Sequence, residues 1–108
     1  MKSDVRKARE ESARKAIHAL LGTKEAEYSV NGYVEHHLEQ LPEEYWVRHL
    51  GSARPKAEAV LDLLQLRGTW RDGGVECFDF TLPDDVTNYV LCVRIDARGG
   101  IESVEMES

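Results

Sequence analysis

At Leu64 the hydrophobic period of this chain changes from helical to alternating, and that switch constrains the fold more than any other feature. Upstream, Val30, Tyr33, Val34, His37, Leu38 and Leu41 recur at the spacing of one helix face. Pro42 ends that helix and can open the next, because proline suits a first helical turn. PEEYWVRHLG then reads as a short helix, with Glu43 and Glu44 at its positive end, His49 at its negative end and Gly51 as terminator. A fourth helix starts near Pro55 and turns Ala57, Val60, Leu61 and Leu64 inward. The first helix runs from about Asp4 to Leu21, between a Ser3 cap and Gly22, on a thin stripe that includes Val5, Ala13, Ile17 and Leu20. Its first two turns have few large apolar residues, so they are expected to project, with a solvated basic face.

Downstream of Leu64 the pattern is that of strands. LQLRGTW and VECFDFTL flank Asp72-Gly73-Gly74, read as a three-residue hairpin loop with Gly74 in the left-handed region. Centring that hairpin on Gly73 pairs Leu66 with Phe80, Gly68 with Phe78, and Arg67 with Asp79 on the other face. NYVLCVRI is apolar on both faces and therefore belongs inside a sheet. Ala97-Arg98-Gly99-Gly100 turns into IESVEMES, whose Val104 and Met106 align with Val93 and Leu91. Helices first and strands afterwards give an α+β fold, with N-terminal helices packed on a four-stranded antiparallel β-meander. The 108 residues make a single domain: a basic amphipathic helix over 1–22, a helical part over 23–65 and the sheet over 66–107.

The sharpest pattern in the sheet is FDFTLPDDVTNYVLCVRID, in which two alternating runs flank a proline-led acidic corner. Phe78, Phe80 and Leu82 must meet Tyr89, Leu91 and Val93, and the corner sets that register. Asp, Thr and Asn bond nearby backbone amides in turns, so the corner is read as structural.

Charge bears on the function class. Six Lys/Arg against three acids leave +3 on residues 1–20, and eight against seventeen leave −9 on residues 21–108. A body this acidic repels phosphate backbones, which argues against nucleic acid and for a basic protein as partner. No apolar run approaches the roughly 20 residues of a membrane span. The N-terminus lacks the apolar stretch of a secretory signal, and a cytoplasmic location is expected. Cys77 and Cys92 both fall in strands, where a reduced pair is expected.

Candidate chemistry is sparse. His36, His37 and His49 are the candidate metal ligands, but neighbouring helical residues point about 100° apart and no HExxH or paired CxxC supports them. Cys77 opposite Arg94 and Cys92 opposite Asp79 are the candidate nucleophiles, with every histidine upstream of the sheet. Both glycine pairs sit in hairpins, so there is no phosphate loop and no cofactor is expected. Tyr45, Trp46 and Trp70 can line a pocket but read first as core. Val75, Cys77, Val90 and Cys92 form an apolar patch on the second sheet face, to be covered by the first helix or by a second subunit in a homodimer.

EHHLEQLPEEYW, RHLG, the corner stretch and the terminal VEMES resemble a family of small bacterial proteins grouped as a domain of unknown function. The resemblance spans about Val34 to Ser108. It implies a bacterial, cytoplasmic origin and transfers no catalytic residue. The reading favoured by the residues is a non-enzymatic interaction module with Glu39, Glu43, Glu44, Asp84 and Asp85 as partner contacts. The alternative is a small metal-binding protein or enzyme that uses His36, His37 and His49.

Overall fold

The computed structural model describes residues 2–108, and side chains from residue 4 onward; the first helix already includes Lys2 and Ser3, so Ser3 lies inside it rather than capping it and the helix starts earlier than expected. Four α-helices precede four strands: α1 (Lys2–Leu20), α2 (Val30–Gln40), α3 (Glu43–Leu50), α4 (Ala57–Leu63), then β1 (Gln65–Asp72), β2 (Val75–Thr81), β3 (Val90–Ile95) and β4 (Ile101–Glu107). The strands form one antiparallel sheet in the order β1-β2-β3-β4. The predicted α+β class and meander are therefore present. Gly22 and Gly51, both at positive φ, end α1 and α3 as expected.

The polar connection after α1 holds a short 3-10 turn, Lys24–Ala26, that buries Ala26. Gly32 lies within α2 because a Cβ there would come within 2.9 Å of the Glu27 carbonyl oxygen, so the turn packs directly on the helix backbone.

One face of the sheet carries Phe78, Phe80, Leu91, Val93 and Ile95, all fully buried. Ile17, Val30, Tyr33, Trp46, Val60 and Leu61 meet them from the helices in one core. The β2–β3 and β3–β4 registers are those expected: Phe78 pairs with Val93, Phe80 with Leu91, Cys77 with Arg94, and Val104 with Val93.

The first hairpin differs from expectation. Leu66 still pairs with Phe80, but a bulge at Arg67 shifts the ladder, so Gly68 pairs with Asp79, Thr69 with Phe78 and Trp70 with Cys77. The loop is then two residues long, with Gly73 rather than Gly74 at positive φ (64°). A one-residue slip moves every later side chain to the opposite face. Trp70 thus leaves the helix-facing side and lies on the open face, 42% exposed. Its indole Nε1–H donates to Asp79 Oδ2 at 3.1 Å, and the Arg94 guanidinium sits 5.9 Å from its ring centre while pairing with Asp72 at 2.7 Å.

The basic face of α1 is not simply solvated either. Arg6 donates to Thr69 Oγ1, Arg9 pairs with Glu76 and donates to the Ala97 carbonyl, and Arg14 donates to the Leu64 carbonyl while lying over Phe80. These arginines fix a helix whose own early turns bury little: Val5 is 57% exposed. Guanidiniums are suited to this, since one group bridges two acceptors at fixed angles.

Candidate functional site

The acidic corner is a short 3-10 turn, Pro83–Asp85, in which Asp84 and Asp85 both take left-handed backbone angles (φ 73° and 56°). Such angles cost non-glycine residues of order 1 kcal/mol each, so surrounding contacts must hold the turn. Tyr45 of α3 donates its hydroxyl to the Pro83 carbonyl at 3.0 Å. Asp84 Oδ2 accepts from both Arg48 Nη2 and His49 Nε2 at 2.7 Å. The hydrogen bond from His49 is the main reason the Asp84 carboxyl is held below the usual carboxylate range. Burial, with the Asp84 charge nearby, pushes the Tyr45 phenol up to about 12.

From the other side, α2 grips the same loop. The Tyr33 hydroxyl donates to the Tyr89 carbonyl at 3.2 Å. His37, only 1% exposed, is bonded through both ring nitrogens: Nδ1 lies 2.7 Å from the Tyr33 carbonyl and Nε2 2.9 Å from Thr87 Oγ1. A carbonyl can only accept, so in the neutral ring Nδ1 carries the proton and Nε2 accepts from the Thr87 hydroxyl. Thr87 Oγ1 in turn accepts from the Tyr89 backbone N–H at 3.1 Å, which completes the chain. Burial holds the His37 pKa below its ordinary value; the Tyr33 carbonyl opposes that and His36 adds to it.

The three candidate metal ligands are thereby accounted for separately. His37 has no nitrogen to spare, His49 is engaged by Asp84, and His36 packs edge-on against Tyr89 with ring centres 5.1 Å apart. Among the described residues, no three His, Cys, Asp or Glu side chains converge so as to hold a metal ion.

Cys77 and Cys92 lie side by side on the open face, and neither is accessible to solvent. In the ladder Cys77 is flanked by Trp70 on one side and Arg94 on the other, and Cys92 lies opposite Asp79. Burial pushes both thiols up, and the neighbouring Asp79 carboxylate pushes Cys92 further. Inaccessible thiols of raised pKa are poor nucleophiles. Folded protein at pH 8 is expected to leave Ellman's reagent unreacted over minutes, and urea-unfolded protein to release two equivalents; rapid reaction of the folded state would contradict this description.

A groove of about 590 Å³ lies between the α2–α3 corner and the loop before α4. Its walls are Leu38, Leu41, Pro42 and Trp46 on one side and Ala53, Arg54 and Pro55 on the other, with Glu39 and Glu43 also lining it. That volume falls within the roughly 300–1,000 Å³ range of ligand sites. The Trp46 indole Nε1–H is buried and has no acceptor among the described residues. All five sequence-derived partner contacts are exposed: Glu39, Glu43, Glu44, Asp84 and Asp85. They are not equivalent, because Asp84 is spent on Arg48 and His49 while the other four have no ion-pair partner among the described residues.

No helix among the described residues is long and apolar enough to cross a membrane. Comparison of the chain with known protein families, curated proteins and solved structures returned no match.

Proposed function

We propose that this protein is a non-enzymatic interaction module whose acidic body engages a basic protein. The observation that carries the reading is that Glu39, Glu43, Glu44 and Asp85 are exposed carboxylates with no ion-pair partner among the described residues. An exposed carboxylate without an intramolecular cation contributes little to the fold, so it is free to steer and specify a partner. The surplus of negative charge on residues 21–108 acts in the same sense. Asp84, although exposed, belongs to the corner and is removed from the partner set.

The test is affinity isolation from the protein's own cells at two salt concentrations, with wild type and with the variant Glu39→Gln/Glu43→Gln/Glu44→Gln/Asp85→Asn. The expected result is a basic protein that is retained at low salt, released at high salt and lost with the variant. A partner that the variant retains equally well, or whose retention ignores salt, would overturn the reading.

A further inference from the structure

We infer that the groove beside Trp46 is a docking site for a short extended segment of a partner protein, one that carries an arginine or lysine next to proline or aliphatic residues. The inference deepens the proposed function and rests on it. Charge complementarity selects the occupant. Glu39 and Glu43 line the groove, are exposed, and have no cation within ion-pair distance among the described residues. They are the last-turn and first-turn carboxylates of helices joined only by Leu41 and Pro42, so they come from one tight corner. A guanidinium or ammonium placed there meets two carboxylates at once.

The rest of the lining fits a peptide better than a small amine. Leu38, Leu41, Pro42 and Pro55 offer apolar contacts, as expected for proline and aliphatic side chains. Trp46 is 1% exposed, lines this groove and holds a donor with no acceptor among the described residues. Arg54 on the loop side also has no ion-pair partner among the described residues, and it can donate to a backbone carbonyl of the occupant. An extended chain presents cation, apolar side chain and carbonyls together, whereas an isolated amine satisfies only the carboxylates.

The chain has two tryptophans, so Trp70→Phe leaves Trp46 as the sole indole reporter in the groove. In that background the emission of Trp46 is titrated with the acetylated, amidated pentapeptide Leu-Pro-Arg-Leu-Lys. Two control peptides replace either the cations with citrulline and glutamine, or the leucines and proline with serine. A saturable change with the first peptide is expected below about 1 mM, with each control and the Glu39→Gln/Glu43→Gln variant weaker by about tenfold or more. The Glu102→Gln variant, which alters an exposed carboxylate outside the groove and outside the partner set, should bind as the parent does. An unchanged circular dichroism melt shows that the variants remain folded. No saturable change up to about 1 mM, or equal binding by the double variant or by either control, would overturn the inference. The two proposals fail differently: a cellular partner held in a salt-sensitive way, but indifferent to Glu39→Gln/Glu43→Gln, would remove the groove and leave the acidic surface. A partner indifferent to salt and to all four substitutions would remove both.

Discussion

Trp46→Ala should lower the unfolding free energy by about 3–5 kcal/mol, the usual cost of deleting a large buried aromatic side chain. Trp46 is among the largest fully buried side chains, packs edge-on against Tyr45 with ring centres 5.0 Å apart, and belongs to the core shared by helices and sheet. Against the roughly 5–15 kcal/mol typical of a domain, such a loss is a large share of the total. Trp46→Phe separates packing from polarity. It keeps an aromatic ring and deletes an N–H that has no partner, so its cost should be confined to lost contact area, about 1–2 kcal/mol. Tyr45→Phe next door loses the bond to the Pro83 carbonyl, a penalty of about 1 kcal/mol with almost no change in volume. Urea unfolding followed by circular dichroism measures all three. A Trp46→Ala variant less than about 1.5 kcal/mol below wild type would mean that the groove wall is not part of the core.

The neighbouring residues also show how far the sequence could be read. Leu38, Leu41 and Pro42 alternate with Glu39 and Glu43 at one helix junction, so an acidic apolar corner is legible there from spacing alone. The opposite wall, Ala53-Arg54-Pro55, carries no period and gives no sign of where it folds back, so the groove itself could not be read. Likewise the core pairs of β2, β3 and β4 follow from alternation, because burial of one face admits one register. In the β1–β2 hairpin two registers satisfy Leu66 opposite Phe80, and a bulge at Arg67 separates them. Pattern cannot see that bulge, which carries Trp70 to the open face, where it stands opposite Cys77 and donates to Asp79. The corner was legible as a turn from Pro83, Asp84 and Thr87, yet its ties to Tyr45, Arg48, His49 and His37 span 35 to 50 residues of sequence and left no local signal.

Those ties make the stability of the fold dependent on pH in a defined window. His37 has a folded-state pKa below its unfolded value of about 6.5, so between the two the unfolded chain binds a proton that the folded chain does not. His37 therefore contributes no pH dependence well above about 6.5, and stability falls as pH drops through that value towards the folded pKa. One proton limits the slope to about 1.4 kcal/mol per pH unit. Asp84 acts in a separate window: its folded pKa is lowered, so its contribution is present above the unfolded value near 4 and fades below it. His37→Phe removes the titrating ring and leaves the half-buried Thr87 hydroxyl without its acceptor, so it should cost about 1–3 kcal/mol at pH 8. It should also flatten the stability profile below about pH 6.5, because the group responsible is gone. Urea midpoints measured at half-unit pH intervals decide the matter. A wild-type profile already flat in that range, or one whose slope survives His37→Phe, would show that the buried imidazole is not what ties the loop to α2 in a proton-sensitive way. If the slope disappears while Asp84→Asn retains it, the two grips on the corner act through separate groups, His37 from α2 and the Arg48–His49 pair from α3.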